Sequence, residues 1–418
     1  MKEVSCINSQ QGEKMRKIAK LSFVTALAVT GFTANVFAAD TLSEAFSNGK
    51  FKGDVRSFYY AQTFDGAGKN DSSIWANGGS LNYVTDSYNG LVLGATLQTA
   101  HVTSKDDKDK KTEGSMDAQG SVLSESYLQY TYNKTTFKGG RQFISTPLLA
   151  GSGSRIIKES FEAYLVVNTD LPNTVLVAGK INRYQTRTDK STYADNAFVK
   201  FQTDGTGEPG NFYKIGDNGV NTVYVKNSSI PNLDVQFQYA NVVDVATALY
   251  ADAKYNFGPV HIAAQYYDTN YDAKTTKDNS LYGLQAGVQI AQVDLFAGYT
   301  SADGKDGDAA VVRGIGQGAY AHYTATTKTA GVDAFSAGTD AWQVGAGYKF
   351  GDLKTKLRYT SFDKPRINDD LDEITLNLAY NFDGAFKNLK IELDYSILDY
   401  ENSTNDATDL RTRLVYSF

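Results

Sequence analysis

Runs of residues that alternate between apolar and polar recur along this chain, and four of them end in a tyrosine, one spacer residue and a phenylalanine. Residues two apart on a β-strand project from the same face, so each run predicts a strand with one apolar and one polar face. A ring of aromatic pairs at strand ends is typical of the girdle of a transmembrane β-barrel. The four pairs are Tyr255 and Phe257, Tyr348 and Phe350, Tyr380 and Phe382, and Tyr416 and Phe418.

Residues 1–38 have the pattern of an N-terminal extension followed by a secretory signal peptide. A basic stretch that begins at Met15 precedes an apolar run of roughly a dozen residues, which is too short to span a bilayer as a helix. Cleavage is expected after Ala38, and the sequence leaves open whether synthesis starts at Met1 or Met15. Cys6 is the only cysteine, so the exported chain 39–418 is expected to contain neither a disulfide nor a thiolate site.

Composition and alternation together predict an all-β, antiparallel transmembrane barrel of about 18 strands, or about 16 to 18, over residues 39–418. The mean hydropathy is −0.37, and no later stretch is apolar enough for a membrane-spanning helix. A barrel reconciles both facts, because only alternate residues of each strand contact lipid. The weaker strand predictions include the second strand, at Ser80 to Thr85.

Connection lengths predict which end of the barrel faces the periplasm. Short turns on one side and long loops on the other are typical of outer-membrane barrels, and the aromatic pairs all close even-numbered strands. These pairs therefore indicate the periplasmic girdle, whereas Trp342, Tyr299, Tyr239 and Tyr359 indicate the outer one. The short turns are 133–134, 258–259, 291–292 and 351–352, and the long loops are Thr103 to Gly120, Gln185 to Gly219 and Ser301 to Thr339.

About 18 strands spaced 4.8 Å apart and tilted by about 40° enclose a lumen roughly 36 Å wide, which side chains alone cannot fill. The segment at about 144–160 is predicted to fold into that lumen, since it combines five apolar residues with Arg155. The alternative is an ordinary extracellular loop. The segment Gly314 to Gly318 lacks the strand and helix context of a phosphate-binding loop and is predicted to be a flexible extracellular loop.

Two stretches carry a resemblance to a known family. The first contains Gly140, Arg141, Gln142 and Phe143 and continues through Pro147 and Arg155 to Phe161, Glu162 and Asn168. The second begins at Leu42 and continues through Gly49, Val55 and Arg56 to Tyr59 and Tyr60. Both resemble the OprD-type outer-membrane porins of Gram-negative bacteria. The resemblance implies an 18-stranded barrel, a loop-lined constriction, a ladder of basic residues, and passage of small carboxylate-bearing solutes such as amino acids. It places Arg141 and Arg155 in the matching motif.

Strand parity predicts a charged lumen independently of the resemblance. If the apolar faces meet lipid, the inner faces from the fourteenth strand onward carry seven bases, Lys390 among them, against Glu392 and Asp394. An acidic wall on strands nine to thirteen is expected to face them, and such a transverse field orients solutes that carry both signs. The alternative is that these charges only solvate the channel and pair with one another. The predicted pore-lining residues are Arg56, Arg141, Arg155, Lys349, Lys354, Lys356, Arg358, Arg411, Arg413, Asp234, Asp252 and Asp294.

The functional prediction is a passive, selective diffusion channel for small hydrophilic solutes, with an outer-membrane surface receptor or hydrolase as the alternative. The three histidines lie in separate segments, so no catalytic triad is predicted. No cofactor or metal site is expected, since Asp303 to Asp308 does not match a calcium-loop pattern. A net charge of −6 argues against a nucleic-acid partner.

The expected partners are outer-membrane lipids, small hydrophilic solutes and the barrel-assembly machinery, which would read Tyr416 and Phe418 as a C-terminal sorting signal. The expected state is a monomer or a homotrimer. The channel is expected to prefer anions, and replacement of Arg411 and Arg413 by alanine is expected to reduce that preference.

Overall fold

A computed structural model describes residues 39–66, 68–106, 116, 119–187, 212–305, 308–319, 321–327, 333–364 and 369–418. Eighteen antiparallel strands form a closed barrel, which confirms the predicted fold class. Each strand pairs with its neighbours in sequence, and β1 closes the ring against β18, where Tyr60 is opposite Arg411. The predicted signal peptide lies outside the described residues. Within the described parts of the chain, no helix is long and apolar enough to cross a membrane.

The strands are β1 Lys50–Phe64, β2 Ser72–Val84, β3 Leu91–Lys105, β4 Gly120–Tyr132, β5 Thr135–Gln142, β6 Ser160–Asn168, β7 Thr174–Gln185, β8 Val220–Asn227, β9 Leu233–Val242, β10 Ala246–Phe257, β11 Val260–Tyr271, β12 Asn279–Ile290, β13 Val293–Ala302, β14 Asp340–Phe350, β15 Leu353–Asp363, β16 Leu371–Asn381, β17 Leu389–Tyr400 and β18 Ala407–Ser417. The short strand Phe212–Lys214 also pairs with β7 and shares the position of β8 in the ring. Two further short strands, Ser145–Thr146 and Leu149–Ala150, pair with each other.

The second strand is longer than the sequence indicated. It begins at Ser72 rather than Ser80, and its first residues pair with the upper half of β1. The alternation there is masked because Gly78 and Gly79 interrupt it and Trp75 marks a bulge against β3. The consequence is a short first extracellular connection, at residues 65–71.

The periplasmic turns are tight because their first residue adopts a left-handed conformation. Asn133, Gly258, Ala291 and Gly351 have φ values of 52°, 67°, 55° and 57° and begin the predicted two-residue turns. Two-residue hairpins need positive φ at this position to match the twist of the strands. The predicted short turns are therefore confirmed.

Helix α1, Leu42–Ser47, lies at the same end of the barrel as these turns. Its first turn is closed by a capping box, in which the Glu44 amide donates to Thr41 Oγ1 at 3.1 Å and the Thr41 amide donates to Glu44 Oε2 at 3.3 Å. The Tyr83 hydroxyl of β2 donates to the Phe46 carbonyl. Among the described residues, 3₁₀ helices occur at Asp333–Phe335, Gly384–Phe386 and Ser403–Asn405.

The aromatic pairs face outward, as parity predicts. Tyr348, Phe350, Tyr416 and Phe418 expose 43%, 67%, 45% and 58% of their surface. At the opposite rim Trp342 also faces outward and packs against Tyr359, with 5.0 Å between the ring centroids. Because the aromatic residues of both girdles face lipid, the residues of opposite parity on the same strands face the lumen.

Candidate functional site: the inner wall and its two loops

The connection between β5 and β6, residues 143–159 (loop A), crosses the inside of the barrel. Two glutamines on distant strands hold its ends: Gln98 of β3 accepts from the Lys158 amide at 2.9 Å, and Gln238 of β9 accepts from the Leu148 amide at 2.7 Å. The guanidinium of Arg56 in β1 donates to the Ile156 carbonyl at 3.2 Å. Loop A therefore lies within the ring of strands rather than above it.

Apolar burial explains why loop A folds inward. Its five aliphatic side chains are each at most 3% exposed, and burial of such a side chain is worth about 1.5–3 kcal/mol. In an external loop these side chains would remain in water. The five residues are Ile144, Leu148, Leu149, Ile156 and Ile157.

The connection between β13 and β14, residues 303–339 (loop B), packs onto loop A. The Ile315 amide donates to the Leu148 carbonyl at 2.8 Å, and the Ala150 amide donates to the Ile315 carbonyl at 3.1 Å. Ile315 itself is 2% exposed. Ile315 thereby pairs with the Leu149–Ala150 strand of the short hairpin in loop A. The prediction that Gly314 to Gly318 forms a flexible extracellular loop is therefore wrong.

Glu159 joins the two loops. Its Oε2 accepts from the Ser152 amide of loop A at 2.7 Å and from the Gln317 amide of loop B at 2.8 Å. The residue is fully buried, and burial raises the pKa of its carboxyl to about 7 despite the nearby charge of Arg187 and these hydrogen bonds. The contact between the loops thus depends on a group that titrates near neutral pH.

Residues 325–327 of loop B cover the basic wall, which is formed by the inner faces of β14 to β18. The Arg358 guanidinium donates to the Ala325 carbonyl and to Thr327 Oγ1, both at 2.7 Å, and the Arg411 guanidinium donates to the Thr327 carbonyl at 2.9 Å. Gln343 also donates to the Ala325 carbonyl, at 3.0 Å. Backbone oxygens of loop B thus accept hydrogen bonds from two of the predicted ladder arginines.

Three arginines converge on two aromatic rings of the inner wall. The guanidinium carbon of Arg155, from loop A, lies 5.9 Å from the Phe58 ring centroid and 5.8 Å from that of Tyr60. Arg413 lies 4.9 Å from the Phe58 centroid, and Arg411 lies 5.1 Å from the Tyr60 centroid. The cation–π attraction of the rings offsets part of the repulsion among the three guanidinium groups.

Carboxylates compensate much of this charge. Arg411 pairs with Asp409 at 2.8 Å, Arg413 pairs with Asp394 at 3.1 Å, and Arg56 pairs with Asp54. The predicted ratio of seven bases to two acids on β14 to β18 is wrong, because Glu373 and Asp409 also face inward and raise the acids to four. The alternative in which lumen charges pair with one another describes these arginines well.

The lysines of the same wall are less covered. Lys349 of β14 and Lys354 of β15 are directly opposite each other on the inner face, and both are exposed. Lys356 is exposed too and lies 4.5 Å from the Phe296 ring centroid. These three predicted residues offer charge to the water-filled part of the lumen.

Two of the three predicted acids lie opposite the arginine cluster. Asp234 and Asp252 are on β9 and β10, half of the ring away from β18 and β1, and Asp252 accepts from the Tyr250 hydroxyl at 2.8 Å. Asp294 does not belong to that wall. It is opposite Gly347, whose other neighbour is Lys356, so it lies beside the basic wall and not across from it.

Arg141 is the one predicted pore residue that the structure places outside. It is on the same face of β5 as Phe137, which is 49% exposed, and opposite Ser126 and Glu162. Its guanidinium stacks on Phe212 at 4.0 Å from the ring centroid and donates to the Leu123 carbonyl at 3.2 Å. The motif was right in composition, but parity within β5 directs this side chain away from the lumen.

Several site residues were not predicted. Phe58 and Tyr60 share a face with Arg56, so parity applied to aromatic residues would have found them. Val311 and Val312 are buried, and this apolar pair shortly before Ile315 indicates that loop B packs against the protein. Nothing in the sequence around Gln98, Gln238 or Glu159 indicates that they hold the loops.

A sequence model described as "outer membrane porin, OprD family" matches residues 44–418. No curated protein sequence matches the chain. Among solved structures, the chain is similar to OccK9 (OpdG) of Pseudomonas aeruginosa, with a TM-score of 0.72, 18% identity, and coverage of 90% of this chain and 99% of that one. A BenF-like porin of Pseudomonas fluorescens Pf-5 gives a TM-score of 0.73 at 15% identity, over 90% and 99% of the two chains.

OccAB1 of Acinetobacter baumannii gives a TM-score of 0.73 at 14% identity, over 91% of this chain and 99% of that one. At these identities the structures support the barrel architecture alone. The family match extends from the first turn of α1 to Phe418. This chain therefore belongs to the OprD family of outer-membrane porins.

Proposed function

We propose that this porin passes small carboxylate-bearing solutes, including amino-acid-like ones, past a constriction formed by loops A and B. The proposal rests on the convergence of Arg155, Arg411 and Arg413 on Phe58 and Tyr60. Guanidinium groups bind carboxylates through paired hydrogen bonds, and Asp409, Asp394 and the aromatic rings hold Arg411 and Arg413 in a fixed geometry beside Arg155.

The surrounding charges support a route along the basic wall. Lys349, Lys354 and Lys356 supply exposed ammonium groups toward the periplasmic end, below the arginine cluster. A carboxylate that leaves the arginines would meet these lysines next, so each transfer replaces one cationic partner by another. Binding that is weak and repeated at several sites favours passage over retention.

The opposite wall supports solutes that carry both signs. Asp234 and Asp252 lie across the lumen from the arginines, and Tyr250 and Gln236 hold the Asp252 carboxylate in place. An ammonium group would be attracted to this wall while a carboxylate remains on the other. The same transverse field would disfavour neutral solutes of equal size, which gain nothing from orientation.

The proposal includes no catalytic step. The three histidines of the protein lie in separate elements: His101 is on β3, His261 is on β11, and His322 of loop B packs against Phe335.

We further propose that the protein acts as a monomer or a homotrimer and is recognised during assembly through Phe418. The backbone of that residue exchanges two hydrogen bonds with Gly53, at 2.9 and 3.0 Å.

Solute flux into proteoliposomes tests the substrate class. Glutamate and a neutral sugar of similar size would be compared for the unmodified porin and for Arg155→Gln. The ratio of glutamate to sugar flux is expected to fall severalfold in the variant, since one cation of the cluster is removed.

Arg141→Gln is the matched control, because it makes the same change on the outer face of the barrel. It should leave the flux ratio unchanged. A wider opening alone would raise both fluxes together, so an unaltered ratio in Arg155→Gln would refute carboxylate selection by the cluster.

A further inference from the structure

Within the described strands, four basic side chains face outward from the barrel, and they lie in one sector of it. They are Arg141 of β5, Lys180 and Arg183 of β7, and Lys214 of the short strand beside β7. Within the strands that the structure describes, the other lysines and arginines alternate onto the inner face. The sector has no part in the channel wall, so the proposed function does not account for it.

Register places three of these bases in a single line with one acid. Arg141 is opposite Glu162, Glu162 is opposite Arg183, and Arg183 is opposite Lys214. Neighbouring strands are about 4.8 Å apart, so this line is roughly 14 Å long. Lys180 lies two residue pairs closer to the membrane centre, opposite Tyr164. We call these five charged residues the outer basic row.

The side chains of the row are accessible and only partly compensated. Arg183 exposes 44% of its side chain and contacts Glu162 at 3.9 Å, a distance at the limit of an ion pair. Lys180 and Lys214 are exposed as well. With four bases and one acid the row carries a net charge of about +3, and the exposed Asp217, three residues after Lys214, is the nearest further acid in sequence.

The outer rim at β13 to β16 has the opposite character. Outward-facing aspartates there are bound by tyrosine hydroxyls: Tyr299 binds Asp340 at 2.9 Å, and Tyr359 binds Asp372 at 2.7 Å. The outer basic row is therefore a local feature of β5 to β8 and not a general property of this rim.

The height of the row in the membrane indicates its surroundings. Arg141 is the penultimate residue of β5, and Arg183 lies two residues before the end of β7, both at the extracellular end. A charge on the lipid face costs about 2–4 kcal/mol at the bilayer centre but only about 0–1 kcal/mol near the interface. The row thus lies at headgroup level, and Lys180 can extend its ammonium group toward it.

We propose that the outer basic row binds the phosphates of the phosphorylated glycolipid in the outer leaflet. The planar guanidinium of Arg183 matches a phosphate through two parallel hydrogen bonds, and the lysines add point charges on either side. A line roughly 14 Å long suits a headgroup that carries two phosphates better than it suits a single small anion. Tyr164, which is 58% exposed, supplies apolar surface opposite Lys180.

The test compares binding of lipid A with two phosphates to the detergent-purified porin and to the triple variant Lys180→Gln, Arg183→Gln, Lys214→Gln. Native mass spectrometry or a lipid-induced rise in melting temperature reports binding. The triple variant is expected to bind at least about tenfold more weakly, a loss of about 1.4 kcal/mol. For lipid A with one phosphate, the loss of affinity in the triple variant should be smaller.

A lumen variant of equal charge change, Lys349→Gln, Lys354→Gln, Lys356→Gln, is the matched control and should bind lipid A normally. Heat-modified migration on gels shows whether each variant is folded, and Arg183→Gln alone replaces the triple variant if that fails to fold. Equal lipid A binding by the folded outer variant and the unmodified porin would overturn the proposal. Full competition by millimolar inorganic phosphate would also overturn it, because the row would then be a simple anion site.

Discussion

The exposed lysines of the inner wall, rather than the paired arginines, are expected to set the anion preference of the channel. Arg411 and Arg413 are compensated by Asp409, Asp394 and Glu392, so their removal would leave these acids uncompensated as well as subtract positive charge. Lys349 and Lys354 allow a cleaner perturbation. Within the described residues neither ammonium group forms an ion pair, and both are exposed. The double variant Lys349→Gln, Lys354→Gln removes two charges and unpairs none.

The size of the effect follows from the distance between these lysines and a passing ion. At about 7 Å in water, each lysine contributes about 0.6 kcal/mol, and the two together about 1.2 kcal/mol. Screening at 0.1 M salt, with a Debye length of about 10 Å, halves this to about 0.6 kcal/mol. That equals RT, so chloride is enriched about 2.7-fold and potassium is depleted equally. Their ratio should therefore change by about sevenfold between the porin and the variant.

Reversal potentials in planar bilayers under a potassium chloride gradient measure this ratio directly. The matched control is Lys180→Gln, Lys214→Gln, which removes the same charge from the outer face and should leave the reversal potential unchanged. The effect in the lumen variant should also shrink as the salt concentration rises. An unchanged reversal potential in Lys349→Gln, Lys354→Gln at low salt would refute the assignment of anion preference to these lysines.

Two further predictions concern the contact between loops A and B. Burial raises the pKa of the Glu159 carboxyl to about 7, so the stability that protonation provides, at most about 3 kcal/mol, is full below about pH 4.5 and lost as the pH rises through 7. Current fluctuations from loop opening should therefore become more frequent between pH 5 and pH 8, and Glu159→Gln should abolish this dependence. Gly316 has φ of +91°, and an added Cβ would lie 2.1 Å from a carbonyl oxygen of loop A. Gly316→Ala should therefore separate the loops and raise single-channel conductance, whereas Gly258→Ala, with φ of +67° and open space around it, should not.

The barrel was predictable because its governing constraint is local. Lipid on one face and water on the other impose a period of two on every strand, and each strand carries that pattern by itself. Short turns at Asn133 and Gly258 are equally local, since positive φ is favoured by asparagine and glycine. The prediction was wrong where local chemistry interrupts the pattern. Two glycines hide the alternation of β2, and its true start at Ser72 follows from pairing with β1.

The site was predicted less completely because it depends on contacts between distant segments. Parity assigned inner faces to Arg411 and Arg413, but the sequence could not show that Asp409 pairs with the first and that Thr327 of loop B covers it. The placement of loop B follows from Ile315 meeting Leu148, a contact between residues more than 160 positions apart. Arg141 shows the opposite error, since its motif suggested a pore residue although strand parity directs the side chain outward.

The inner wall carries two kinds of base: paired arginines near its middle and exposed lysines closer to the periplasmic end. The arginines near Phe58 and Tyr60 are fixed by carboxylates, rings and loop carbonyls, so their geometry is defined but their net charge is small. Lys354 is exposed and can follow a moving anion. A fixed cluster discriminates by shape, because a carboxylate must match donors that do not adapt, whereas exposed lysines attract any anion. Anion preference and carboxylate preference should therefore be separable: substitutions of the lysines should alter the first, and Arg155→Gln should alter the second.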